Sequence, residues 1–447
     1  MRRWMLLGVL VITAGWGAWT LVRRHREAVE QRREAGWQAA YQRANQAFYG
    51  GDYPEAEKLF AALLPEAEKF HSKDRSLAEL LSMLGTSFSM DHKPEQAEPA
   101  LKRALQVYAA ISPTDLLGME RTEDNLAGIY LEREDYASAD QHFSEARSLS
   151  EKIPGAAVYD RGNILLNLGF IRMVQERYGE AEQLLNSSVE ALASDPGPWA
   201  QRDLANAFYR LGGVYAHENR YAEAQQQYEK ALKTREKLSG PNSREVARTL
   251  RGLGELYEDE GKYVESESLY KQAIGVYEKT VGPDDPELAE ALEYLGCLYR
   301  DQEQFQIARA RPLLERALAI REKAFGREQA KTADTLSHLS LLEFFEHNPA
   351  EAELLAKRAL PIEEKAYGAD SLPVSTTLNR LGLAERDLKK FAEAEASMGR
   401  ALAIREKKLP ANHPWIAIIL TDLASVYLAQ GELEKAAPLI KRARAIR

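Results

Sequence analysis

The chain has 447 residues, 45% hydrophobic, 28% charged and 9% aromatic, a balance that excludes wholesale disorder, a collagen-like fibre and a multi-span membrane protein. Its one cysteine, Cys297, can make no internal disulfide and no thiolate zinc site, so the fold must rest on packing. The net charge is −9 although residues 1–26 hold five arginines and no acid; the body that follows is acidic, which argues against nucleic acid as the main partner.

In chain order, Trp4 to Val22 comes first, nineteen residues without a charge. As a helix it nearly spans a hydrocarbon core of about 30 Å. Arg2 and Arg3 precede it, Arg23, Arg24 and Arg26 follow, and Trp4, Trp16 and Trp19 fall near the interfaces. The pattern predicts a transmembrane helix: an anchor over 1–22 with its span at 4–22. A cleaved signal peptide is the rival reading, and it would need a poor small-x-small site such as Gly15-Trp16-Gly17. Arg23, Arg24, Arg26, Arg32 and Arg33 after the span outweigh two arginines before it. The positive-inside rule therefore points to a single-pass protein with a cytoplasmic body, the periplasmic or extracytoplasmic side being the alternative. Residues 23–36 read as a charged helical linker.

From residue 37 to 447 one pattern recurs. A small residue stands at Ala44, Gly85, Ala127, Gly169, Gly212, Gly254, Gly296, Ser340, Gly382 and Ala424, in steps of 41 to 44 residues, and from Gly85 on a leucine precedes it. Twelve residues later comes a second small residue, such as Ala97 or Ala224; in the seventh copy it is Ala310, two places late. Seven further on stands a third, such as Ala104 or Ala231. A period of this size means a solenoid of helical hairpins, with repeats starting near 37, 78, 120, 162, 205, 247, 289, 333, 375 and 417. Small residues let two helix axes approach, while leucines and tyrosines at helical spacing, such as Leu253, Leu256 and Tyr257, fill the space around them. Tyr53, Tyr136, Tyr178, Tyr221, Tyr263 and Phe391 mark the turn inside each hairpin.

Small residues at offsets 0, 12 and 19 resemble the tetratricopeptide repeat, lengthened here from 34 to about 42 residues. Later copies add a phrase: Arg235-Glu236-Lys237 before Gly240, Arg321-Glu322-Lys323 before Gly326, and Arg405-Glu406-Lys407 before His413-Pro414. It is similar to the 42-residue repeats of kinesin light chains and their bacterial relatives, although their heptad coiled coil is missing. The phrase has a mechanism: cations at a helix C-terminus, glycine to end it, and Asp285 to cap the next helix with Pro286 at its first position. The resemblance implies an all-α, right-handed superhelical solenoid of about ten hairpins whose first helices line a concave groove.

No phosphate loop, dinucleotide fingerprint, nucleophile elbow or zinc-protease helix occurs, so the chain reads as no enzyme, with no cofactor and no metal. On the first helices, offsets −3, +1, +4 and +5 from the small residue share one face, between about 40° and 140° around the axis. That face gives a groove of Leu166, Phe170 and Met173, then Arg251, then Arg300, then Leu341, Phe344 and Phe345, and finally Arg386. Glu255, Glu258, Asp259 and Cys297 belong to its centre. Some tetratricopeptide proteins clamp the acidic tail of a chaperone with lysine and asparagine at these offsets; only Asn45 matches, so that role is excluded. The expected function is a membrane-anchored scaffold that holds a peptide or helical segment of a partner protein. An assembly or quality-control factor for membrane or envelope complexes, or a regulatory subunit of a separate enzyme, is the alternative. Pro438-Leu439-Ile440 in the last copy further suggests self-association through an apolar strip.

Overall fold

The computed structural model describes residues 2–70, 75–111, 115–154, 157–302 and 306–446, with side chains from residue 23 onward. Among these residues every regular element is a helix, and twenty helices form ten consecutive hairpins. The first five pair α1 (Arg2–Tyr49) with α2 (Tyr53–Phe70), α3 (Arg75–Met90) with α4 (Pro94–Ala110), α5 (Leu116–Glu132) with α6 (Tyr136–Lys152), α7 (Val158–Val174) with α8 (Tyr178–Ala193), and α9 (Pro198–His217) with α10 (Tyr221–Ser239). The next five pair α11 (Arg244–Asp259) with α12 (Tyr263–Thr280), α13 (Pro286–Asp301) with α14 (Ile307–Phe325), α15 (Ala330–Phe345) with α16 (Pro349–Tyr367), α17 (Leu372–Asp387) with α18 (Phe391–Lys408), and α19 (Pro414–Gln430) with α20 (Leu433–Ile446). The all-helical tetratricopeptide-type hairpins read from the sequence are present.

Residues 23–36 lie inside α1, which continues without a break into the first repeat. Other first helices start at least three residues ahead of the apolar pattern, as Arg244 does against 247 and Pro286 against 289. In these two a side-chain cap opens the helix. Ser243 Oγ accepts from the Val246 amide at 3.3 Å, and Asp285 Oδ1 accepts from the Glu287 amide at 2.8 Å with Pro286 next in line.

No helix among the described residues is long and apolar enough to cross a membrane. The expected span at 4–22 lies outside the residues whose side chains are described.

The small residues sit where the two helices of a hairpin meet. A Cβ on Gly85 would stand 2.7 Å from Leu101 Cγ, and one on Gly169 2.7 Å from Leu185 Cγ. On Gly254 it would meet the Tyr270 ring at 2.6 Å, and on Gly382 Met398 Cγ at 2.5 Å. Where serine replaces glycine, its hydroxyl donates across the crossing: Ser340 Oγ to the Ala352 carbonyl at 2.8 Å.

The chain divides into two compact units, Met1–Ala207 and Phe208–Arg447. In unit 1, Trp37 stacks on Tyr41 with ring centroids 5.2 Å apart, and Tyr41 meets the buried Phe60 edge-on at 5.7 Å. In unit 2, Tyr270 and Tyr277 are completely buried among Leu288, Leu292, Leu295 and Leu314.

Candidate functional site

The conspicuous concavity lies in unit 2, a cavity of about 690 Å³ on the faces of α11, α13, α15 and α17, with Trp415 of α19 at its edge. Its lining is polar and of mixed sign. Glu255 and Glu258 come from α11, Glu290, Glu293, Tyr294, Cys297 and Arg300 from α13, Asp334 and His338 from α15, and Thr376 and Arg380 from α17. Four helices bring these groups together because each repeat turns the same helical face inward.

Hydrogen bonds fix most of these side chains. Arg251 lies 3.3 Å from Glu290 and 3.7 Å from Glu255, with its guanidinium 5.2 Å from the Tyr294 ring centre. Arg300 donates to both oxygens of Asp301 at 2.6 Å and to His338 Nδ1 at 3.0 Å. Because a guanidinium only donates, Nδ1 accepts and the imidazole proton belongs on Nε2. Arg380 Nη1 donates to Ser337 Oγ at 2.5 Å, and the Ser337 and Thr377 hydroxyls are 2.7 Å apart. Thr377 Oγ1 donates to Glu363 Oε1 at 2.9 Å.

Burial shapes the charges. It pushes the Glu258 carboxyl up to about 7, against the Tyr270 hydroxyl that donates to it at 2.8 Å. It pushes Glu363 up to about 7, and the second oxygen of that carboxyl has no hydrogen-bond partner. It lowers Arg380 to about 10, with Arg300 adding repulsion, and burial beside Arg380, Arg300 and Arg321 keeps His338 neutral. Burial also raises the Cys297 thiol to about 12, which leaves it a poor nucleophile. Among the described residues, no ion pair joins Arg380 to a carboxylate within 4.0 Å. Arg380 and the free oxygen of Glu363 are therefore the groups here with capacity to spare.

The nine residues expected to line a groove divide three ways. Arg300 lines the cavity while Arg251 stands behind it, against the lining residues Glu255 and Glu290; both are nearly buried and already paired. Phe344 and Phe345 are half-buried with rings 5.7 Å apart, and Arg386 lies 5.7 Å over Phe344 while bonding Asp387 and Ser425. Leu341 is half-buried on the same helix. In unit 1, Phe170 meets Tyr136 edge-on at 6.3 Å and Met173 is half-buried. Leu166, at 3% exposure, belongs to the core and offers no surface. The residues missed, Glu290, Tyr294, Asp334, His338, Thr376 and Arg380, sit six or two places before the small residue. Counting about 100° per residue puts those offsets near 120°, on the face that was read but about one and a half turns before the small residue, and near 160°, just beside that face.

The Arg-Glu-Lys phrase is a staple. Arg235 Nη1 donates to the Glu245 carbonyl at 3.0 Å and Thr249 Oγ1 at 2.7 Å. Arg321 does the same to Lys331 at 2.7 Å and Thr335 at 2.6 Å, and Arg405 reaches the Trp415 carbonyl at 2.8 Å. Each buried guanidinium thus ties the second helix of one hairpin to the first helix of the next, which is more than a cation near a helix end. Gly240, Gly326 and Gly368 follow with φ of 78°, 86° and 87°, ending their helices as expected.

Among the described residues, no group of three or more histidine, cysteine or acidic side chains is placed to hold a metal ion. No protein of curated function matches the chain. Among solved structures, the apo form of the quorum sensor NprR from B. thuringiensis aligns at a TM-score of 0.62 and 16% identity, over 82% of this chain and 98% of that one. BtubC (BKLC) from P. vanneervenii is 24% identical at a TM-score of 0.43, over 52% of this chain and 90% of that one. The NprR likeness is one of fold. A tetratricopeptide repeat model matches residues 38–110, 118–194, 203–279, 253–311, 307–365 and 373–447, and the hairpins it describes are those seen, so the chain belongs to the tetratricopeptide repeat family.

Proposed function

We propose that this protein is an interaction scaffold in which the polar cavity of unit 2 takes a segment of a partner protein, peptide or helix. The observation that carries the reading is the convergence of Arg380, His338, Glu258 and Glu363 on one cavity from regular helices rather than from loops. Preorganised side chains lose little entropy on binding. Phe344 and Phe345 stand half-buried on the same helix as His338, and a segment long enough to reach them would gain aromatic anchors, which carry a large share of interface energy. The reading is of a binding protein and not an enzyme, in keeping with the raised Cys297 thiol and the neutral His338. Of the strip Pro438-Leu439-Ile440, Leu439 packs against the core and Ile440 is half-buried, so self-association of this hairpin would instead use Leu428 and Leu433, 46% and 67% exposed.

We place this scaffold at a membrane through residues 4–22, on the strength of their uncharged sequence and flanking arginines. The full chain should stay with membranes through carbonate extraction; release by carbonate would remove the anchor. The cavity is tested with a partner crosslinked to the full chain in membranes and then measured against variants. Arg380→Ala and Phe344→Ala should each weaken binding about tenfold or more with a retained melting temperature. Unchanged binding with a large loss of stability for Phe344→Ala would make that ring core alone.

A further inference from the structure

The first helices of unit 1 carry a second charged feature, which the function above leaves unused. Glu120 and Asp124 stand one turn apart on α5, Asp160 is on α7 and Asp203 on α9. Asp203 is occupied: it accepts from the Tyr159 hydroxyl at 2.9 Å and from the Asn163 amide at 3.2 Å. Asp160 meets Arg121, an exposed side chain, at 3.4 Å. Arg202, also exposed, comes no nearer to Asp203 than 4.0 Å.

Glu120 and Asp124 are different. Glu120 is 2% exposed, and its Oε2 is enclosed without a hydrogen-bond partner; Oδ1 of Asp124 is in the same condition. Among the described residues no cation pairs with either. Burial, then Asp160, drives both carboxyls up to about 7 although Arg121 opposes the shift at Glu120, so the two hold protons near neutrality. The neighbouring helices offer no relief. On α3, Ser82 and Thr86 turn hydroxyls to Thr122 and Asn125 at 3.0 Å, while Arg75 pairs with Glu79 and Asp115. On α6, His142 is bound to Glu123 at 2.6 Å. Enclosed acceptors without donors are rare in native proteins and call for an explanation such as an unseen ligand.

We propose that the acidic side chains of α5, α7 and α9, gathered around the unpartnered oxygens of Glu120 and Asp124, bind a lysine side chain from a partner segment. Two features select an ammonium. The enclosed acceptors are single oxygens of two different carboxylates, which suits a compact head with three divergent donors; a guanidinium prefers both oxygens of one carboxylate. The acids are not arranged as metal ligands among the described residues. Binding a cation there displaces the protons, so affinity is coupled to pH.

The test is calorimetric titration of the full chain with acetylated tetralysine amide, in two buffers of different ionisation enthalpy. Binding is expected to strengthen between pH 6 and pH 8 and to release protons. The double variant Glu120→Gln with Asp124→Asn should weaken it at least tenfold while keeping or raising the melting temperature. Tetraarginine amide should bind more weakly, and the ε-acetylated lysine peptide not at all. Equal binding by the double variant would assign the effect to the acidic surface at large and overturn the proposal. Tighter binding of cadaverine than of tetralysine would also overturn it, in favour of a free polyamine. Leu354→Ala, 61% exposed on α16 and outside both sites, should leave tetralysine binding unchanged; the site tested here uses other helices than the cavity of unit 2, so this test fails or succeeds independently of the scaffold reading.

Discussion

Glu363 shows how a single residue sets a local energetic cost. It occupies the position at which Arg235, Arg321 and Arg405 staple successive hairpins, and it reaches Thr377 as Arg235 and Arg321 reach Thr249 and Thr335. At 1% exposure its carboxyl, ordinarily near 4.5, titrates near 7. The folded chain therefore holds a proton that the unfolded chain releases, so the stability this group contributes is full below about pH 4.5 and is lost as pH rises through about 7. Glu363→Gln should flatten that part of the stability–pH curve and raise stability at pH 8 by about 1–3 kcal/mol, measured by urea unfolding at several pH values. The opposite sign is expected at Arg321. Its loss strands Glu293, Thr335 and the Lys331 carbonyl, so Arg321→Ala should cost about 3–5 kcal/mol in the same experiment.

At the scale of the element, the hairpin turns among the described residues share one backbone device. Seven residues after the small position the chain enters the left-handed region, at His92, Glu134, Glu176, Asn219, His347 and Lys389 and at Gly51, Gly261 and Gly431. The left-handed conformation costs a side-chain-bearing residue about 1–2 kcal/mol, partly offset by the freedom glycine gives the unfolded chain. Lys389→Gly should therefore stabilise by about 0.5–1 kcal/mol, and Lys389→Val should destabilise, both read from the urea midpoint. The turn was only half legible in the sequence, because glutamate, histidine and lysine carry no mark of a positive φ. The crossings were fully legible, since a glycine facing Leu101, Tyr270 or Met398 permits no larger residue without clash. The cavity was legible in part. Glu255, Glu258, Asp259 and Arg300 fell on the face that was read, but Glu290, Asp334, His338 and Arg380 stand at offsets that face did not include. The sign of each group's pKa shift depends on neighbours from adjacent repeats, which no single-helix count contains.

At the scale of the molecule, repetition does the positioning: four successive first helices present equivalent faces, and the residues that vary there decide what is bound. In the proposed function the cavity of unit 2 takes a partner segment, and the most direct test of that proposal lies in its wall. A photo-crosslinking amino acid placed at Thr376, half-buried in the cavity wall, is compared with one at Leu354, 61% exposed on α16. In membranes carrying the full chain, position 376 should capture one discrete protein, Leu354 should not, and Arg380→Ala should abolish the capture. Capture from position 354 with silence at 376, or capture at 376 indifferent to Arg380, would contradict the account.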